Sequence, residues 1–372
     1  LDDTARAHRL TAAARPDLPE RQRSMLLSFY YTWERLSADA QKTWAVFAAV
    51  FAPGADAAAL RAVAAGAWDT DAGLEEATAW HVLQREEVAG RSRYYMVATT
   101  AEFGRERAGE AETGLDLPTL RRRHAEYYLT AARRFDETPM ENWRALEPDL
   151  DNIATGFETA IVAMEATLGA PLDDLLSGWE SQLKRRTEEG EGSLAGEYAL
   201  ALKNFVFRRR PAQGERWLRA GLVAWAAAGH GQRVALFCNE LGLIHKARGD
   251  YAAALEWYGK SVAIKEKLGD QAGLATTYNN IGLIYDARGD YAAALEWYGK
   301  SVAIKEKLGD QAGLATTYNN IASIHYARGD YAAALEWYGK SVAIFERLGA
   351  KASAATLQKN IEVLKETMRR QP

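Results

Sequence analysis

Apolar residues recur every three to four positions over Ser24–Leu36 and again over Ala38–Val50, the spacing of one buried helix face. Ser37 stands between the two stretches, where its hydroxyl can cap the second helix. Phe51-Ala52-Pro53-Gly54 breaks the pattern, Asp56–Ala65 predicts a third helix and Leu74–Gln84 a fourth. Two short strand-like stretches follow, Glu86–Val88 and Ser92–Val97, with Ala89-Gly90 at the turn between them. A last helix of this part runs from Thr100 to Ala108.

Helices followed by a small hairpin describe a winged-helix domain over 24–109. The segment 118–190 reads as a helical connector, opened by an amphipathic helix whose inner face includes Tyr127, Tyr128 and Ala131. Beyond it the pattern becomes periodic. Gly-Asp pairs fall at 249–250, 269–270, 289–290, 309–310 and 329–330, and Gly349 keeps the same beat. Residues 247–281 reappear unchanged as 287–321, so the true period is 40 residues in two punctuated halves. Glycine ends a helix in the left-handed conformation and aspartate caps the next one. Helix pairs that cannot bury their own apolar face must stack on copies of themselves. The expected fold class is therefore all-α, with a helical solenoid over 191–350 and a polar capping helix over 351–372. Trp217 and Asn239 extend the register of Trp257 and Asn279 backwards, and Glu197–Phe207 fits as a worn first helix.

The unit near Leu274 carries Tyr278, Ile281, Gly282 and Tyr285 on its first helix, then Ala294, Leu295, Tyr298, Ser301 and Val302 on its second. This order of large, apolar, small and aromatic positions resembles the tetratricopeptide repeat. Ser301 and Glu306 depart from the family's alanine and proline. The resemblance implies a right-handed α-solenoid whose first helices line a concave, partner-binding groove.

A second resemblance rests on Arg93-Tyr94-Tyr95-Met96 followed by Glu102-Phe103-Gly104-Arg105-Glu106-Arg107-Ala108, which looks like the winged-helix segment of STAND-class (NB-ARC-like) signalling NTPases. Trp143, Leu146, Asp151-Asn152-Ile153 and Ala160 resemble the connector of bacterial members. The resemblance implies a switch that exchanges ADP for ATP and oligomerises when its repeat arm meets a trigger. No GxxxxGK[ST] phosphate loop occurs in the chain, so ATP or ADP is expected in an upstream domain and no cofactor in this one. Residues 1–23 then read as a linker from that domain. The family's Met-His-Asp is here Met96, Val97 and Ala98, which removes the polar groups that would reach a nucleotide phosphate.

Net charge is −4 and the isoelectric point about 6.0, which gives no global electrostatic case for nucleic acid or an anionic membrane. The helix in the recognition position carries Asp71, Glu75 and Glu76, which a duplex repels, although Arg91 and Arg93 lie on the wing. The runs Arg121-Arg122-Arg123-His124 and Arg208-Arg209-Arg210 read as solvated or inter-module surface, and Thr187–Ser193 as a mobile loop. No apolar run approaches the ~20 residues a membrane helix requires. The single Cys238 allows no internal disulfide, as suits a reducing cytoplasm. His8, His81, His124, His230, His245 and His325 form no metal-ligand spacing, and no nucleophilic constellation is present. The expectation is a chain that is not itself an enzyme.

Change between the copies concentrates in one window: 241–246, 281–286 and 321–326 read LGLIHK, IGLIYD and IASIHY. Thr276, Asn279, Leu283 and Asp286 follow i, i+3, i+7, i+10, a stripe beside the core. Matching sets are Asn239, Leu243 and Lys246, then Thr316, Asn319, Ser323 and Tyr326. These residues are expected to line a ligand groove, with the asparagines clamping a peptide backbone and the variable positions selecting its side chains. The expected partner is a protein or peptide trigger, relayed through the winged helix to the nucleotide domain. A free-standing adaptor and a repeat-regulated DNA-binding factor are the alternatives.

Overall fold

The computed structural model of the chain describes residues 19–51, 54–88, 90–185, 193–209 and 211–370. Most of the linker read over 1–23, Ala52-Pro53, Ala89 and the loop read over 187–193 except Ser193 lie outside these residues, as do the side chains of Arg208–Arg210. The chain divides into two compact units, residues 1–175 with 192–209 and residues 176–191 with 210–372.

The first unit opens with α1 (Glu20–Trp33), α2 (Ala38–Val50), β1 (Gly54–Asp56), α3 (Ala57–Ala64) and α4 (Thr70–Ala79). β2 (Gln84–Val88), β3 (Arg91–Tyr95) and α5 (Ala98–Ala108) follow. Ser37 caps α2 by accepting from the Ala40 N–H, as the sequence suggests. α4 begins four residues earlier than its apolar pattern because Asp69 accepts from the N–H groups of both Asp71 and Ala72. The core is aromatic: Trp44 and Phe103 lie 5.0 Å apart between ring centroids, and the Trp44 indole donates to the Thr100 carbonyl at 3.0 Å. Gly104 is required here, since an added Cβ would stand 2.7 Å from Trp44 Cδ1.

The sheet has a strand beyond the expected hairpin. β1 pairs antiparallel with β3, Gly54 opposite Tyr95 and Asp56 opposite Arg93, giving the order β1-β3-β2. Three residues are too few to show a periodic signal, and their partner lies about forty positions away.

α6 (Leu117–Glu137), α7 (Leu150–Leu168) and α9 (Leu194–Arg209) complete this unit, and α8 (Leu172–Arg185) enters the second. α6 buries Leu120, His124, Tyr128, Ala132 and Phe135, so its inward face is rotated from the expected one and takes His124 out of the basic run. α9 does not open the solenoid. The Tyr198 hydroxyl donates to the Ala125 carbonyl at 2.6 Å, and Phe205 packs on Phe135 and Trp143 at 4.6 and 5.4 Å. Those contacts commit its apolar face to the connector helices.

The second unit is a stack of helix pairs: α10 (Pro211–Ala227), α11 (Gly231–Ala247), α12 (Tyr251–Leu268), α13 (Gln271–Ala287), α14 (Tyr291–Leu308), α15 (Gln311–Ala327), α16 (Tyr331–Arg347) and α17 (Lys351–Arg370). The Gly-Asp punctuation works as expected: Gly269 sits at φ 69°, and Asp270 caps α13 through the Gly273 N–H at 2.8 Å. Tyr298 is wholly buried against Gly282, where an added Cβ would stand 2.5 Å from the ring. α17 buries Ala354, Leu357 and Leu364, and its exposed face is mostly charged and polar, with Val363 and Met368 also exposed.

Candidate functional site

The stripe along α11, α13 and α15 separates into a buried polar ladder and an exposed edge. Asn239 and Asn279 are only 5% and 9% exposed, and each turns its amide oxygen into the interface with the next repeat. Asn239 Oδ1 accepts from Asn280 Nδ2 at 3.1 Å and from the Thr277 hydroxyl at 3.4 Å. Asn279 Oδ1 accepts from Asn320 Nδ2 at 3.2 Å and from Thr317 at 3.1 Å. These oxygens are spent inside the fold, so the expected clamp on a peptide backbone is corrected to a lock between repeats.

The lock has a third member that the sequence reading missed. Lys265 Nζ donates to Thr277 Oγ1 at 2.8 Å and to the Gly273 carbonyl at 3.2 Å, and Lys305 repeats this with Thr317 and Gly313. Both lysines are almost fully buried. Burial pulls their amines below the usual lysine range, against the field of Asp270 and Asp310 respectively. In the last copy the lysine becomes Phe345 and the threonine becomes Leu357. The lysine and threonine vanish together where the capping helix replaces a repeat, while Asn360 keeps the place of Asn280 and Asn320. Asn319, facing that cap, is half-buried and has none of the bonds its two counterparts accept.

Part of the variable window is internal packing. Ala322 replaces the glycine beneath the tyrosine ring, and the Tyr338 hydroxyl then lies 3.2 Å from Ser323 Oγ. In the other copies Leu243 and Leu283 occupy the serine position, and the buried Tyr258 and Tyr298 hydroxyls have no hydrogen-bond partner. The change from Gly282-Leu283 to Ala322-Ser323 is therefore a matched pair.

Lys246, Asp286 and Tyr326 remain at the edge. Lys246 and Asp286 are partly buried and Tyr326 is 41% exposed. Desolvation lowers the Lys246 amine below its ordinary pKa and raises the Asp286 carboxyl above its own. Each group's field opposes the other's shift, yet among the described residues neither has an ion-pair partner within 4.0 Å. Two opposite charges are thus held partly dehydrated, each in the other's field but without a direct ion pair. Thr276 and Thr316 are exposed beside them, each donating to a carbonyl of its own helix, Ala272 and Ala312.

Arg93 of the β2–β3 hairpin does different work. Arg93 is 3% exposed, with Nη1 on Asp149 at 2.5 Å and Nη2 on the Gly54 carbonyl at 2.9 Å. Asn152 Nδ2 donates to the same carbonyl at 2.7 Å, and Asn152 Oδ1 meets His124 Nε2 at 3.2 Å. Arg93 is therefore occupied within the connector, while Asp71 is paired with Arg61 at 2.7 Å. Cys238 is buried, which pushes its thiol up to about 12 and leaves it inert at neutral pH. Among the described residues no group of three metal-ligating side chains occurs, and no helix is long and apolar enough to cross a membrane.

Residues 233–307 and 314–348 each match a family model described as Tetratricopeptide repeat. No curated protein matches the chain in sequence. Among solved structures it is similar to BtubC (BKLC) from P. vanneervenii, at 21% identity and a TM-score of 0.39 over 60% of this chain and 92% of that one. Aspartyl phosphate phosphatase F from Bacillus subtilis shows 14% identity and a TM-score of 0.44, over 72% of this chain and 59% of that one. PH0952 from Pyrococcus horikoshii, a STAND protein with a tetratricopeptide repeat sensor, shows 14% identity and a TM-score of 0.33. There the alignment spans 93% of this chain and 58% of the other.

Proposed function

We propose that the repeat unit binds an extended peptide segment of a protein partner along Lys246, Asp286 and Tyr326. The observation that carries this reading is the pair of partly buried, unpaired, opposite charges on successive repeats. Such groups destabilise the free protein and are relieved by a ligand of complementary charge. Packed helices stand ~8–10 Å apart and an extended chain rises ~3.3 Å per residue, so successive rungs address about every third ligand residue. The ligand therefore carries an acidic residue for Lys246 and a basic residue about three positions away for Asp286. Leu243 and Leu283 supply apolar contact between them.

In the same reading the chain is the non-enzymatic sensor arm of a STAND-type NTPase, and the ADP or ATP switch belongs to a domain upstream of it. The resemblance of 93–108 to that family's winged helix supports this, as does the bonding of Arg93 and Gly54 to Asp149 and Asn152 of the connector. A module fastened in this way moves with its connector helices. Oligomerisation on activation and a cytoplasmic location belong to the same proposal. The burial of Arg93 disfavours a DNA-binding role, because that cation is unavailable to phosphate.

Panning a random peptide library against the full chain and against a Lys246→Ala/Asp286→Ala/Tyr326→Ala variant tests the groove. The expected result is a set of enriched peptides that the folded variant fails to retain. Equal enrichment by both proteins would remove these residues from the site.

A further inference from the structure

A cavity of about 350 Å³ lies within the repeat unit between α8 and α12, away from the stripe discussed above. That volume falls within the ~300–1,000 Å³ range of small-molecule sites. Its walls are apolar: Trp179 and Leu183 come from successive turns of α8, and Ile264 and Leu268 from α12. Three lysines, Lys184, Lys260 and Lys267, line it against one carboxylate, Glu180. Lys260 is already compensated, by Glu256 at 3.0 Å and Glu180 at 3.8 Å. Lys184 and Lys267 have no ion pair or hydrogen bond among the described residues.

A second, independent observation sets this copy of the repeat apart. In the last copy Arg347 donates to Gln311 Oε1 at 2.6 Å. The counterpart of Arg347 in the first copy is Lys267, and the counterpart of Gln311 is Gly231, which has no side chain to accept. Gly231 also lines the cavity, and a Cβ there would stand 3.2 Å from Leu268 Cδ1. Lys267 thus faces no side-chain acceptor at position 231, and Leu268 packs beside that glycine. Leu268 is 47% exposed, as its counterparts Leu308 and Leu348 are at 50% and 49%, and here that apolar surface borders the cavity.

We propose that this cavity binds a small amphiphile with one anionic head and an unbranched apolar tail, such as a medium-chain fatty acid. The tail lies against Trp179, Leu183, Ile264 and Leu268, and Lys184 and Lys267 hold the head. Apolar walls lined by two lysines without an ion pair select this chemistry over neutral or cationic amphiphiles.

Equilibrium dialysis of the full chain with decanoate, decanol and decyltrimethylammonium tests the proposal. Decanoate is expected to bind saturably at one site, decanol about tenfold more weakly, and the cation not measurably. Lys184→Glu/Lys267→Glu is expected to weaken decanoate about tenfold or more. Ala263→Trp fills the cavity and should abolish binding, whereas Ala303→Trp at the same place in α14 should leave it unchanged. If circular dichroism shows Ala263→Trp to be unfolded, the double charge reversal decides. No saturable decanoate binding below about 1 mM, equal binding of the three probes, or insensitivity to the charge reversal would overturn the proposal.

Discussion

Thr317→Leu is expected to destabilise the repeat unit by about 2–4 kcal/mol, and Lys305→Phe added to it to restore most of that loss. The threonine hydroxyl lies between the Lys305 ammonium at 2.8 Å and Asn279 Oδ1 at 3.1 Å. Removing it alone leaves a buried cation with only the Gly313 carbonyl at 3.2 Å and the field of Asp310. Removing both polar partners recreates the apolar pair Phe345 and Leu357 that the chain itself uses beneath α17. A urea-unfolding double-mutant cycle checks this, with the double variant well above the sum of the singles. Additive losses would mean that lysine and threonine act independently and that no ladder exists.

The second large effect is a loss of stability of the first unit in acid. His124 is 1% exposed and donates through Nε2 to Asn152, and burial depresses its pKa from 6.5 to about 4. Between those values the unfolded chain binds a proton that the folded chain refuses, so stability falls as pH falls. The contribution is complete above pH ~6.5 and lost by pH ~4, a change of about 3 kcal/mol. His124→Gln keeps a polar group beside Asn152 and removes the titration. Urea unfolding at pH 7 and pH 4 should therefore show a drop in the parent that exceeds the variant's by about that amount. Parallel pH profiles would show that His124 is protonated without disturbing the core.

What could be read from sequence follows the range of the interactions involved. Helix caps such as Ser37 and Asp270, and the 40-residue beat, are local and were legible. β1 was not, because its three residues gain their structure from Tyr94 and Tyr95 far along the chain. The face of α6 is obscured in the sequence by the three arginines that precede His124. The spacing of Leu120, His124, Tyr128 and Ala132 held the correct signal.

Asn239 and Asn279 lie on the expected stripe but turn their amide oxygens inward. Their period shows equivalence between copies, whereas inward or outward depends on the neighbouring helix. The joint replacement of Lys305 by Phe345 and Thr317 by Leu357 in the terminal copy was the available clue. A ligand site has no reason to become apolar where stacking ends. Ser323 likewise gains its meaning only from Tyr338, fifteen residues on. Lys246 and Asp286 keep their sequence-based assignment as candidates because the fold gives them no other partner.

The most direct test of the peptide-groove proposal is a charge exchange. Peptides enriched on the parent would be titrated by fluorescence anisotropy against the parent and against Lys246→Asp/Asp286→Lys. The proposal predicts that the exchanged protein loses those peptides by about tenfold or more and regains affinity when the ligand's acidic and basic positions are swapped. If both proteins bind both ligands alike, the partly buried charges do not read the partner and the proposed site is wrong.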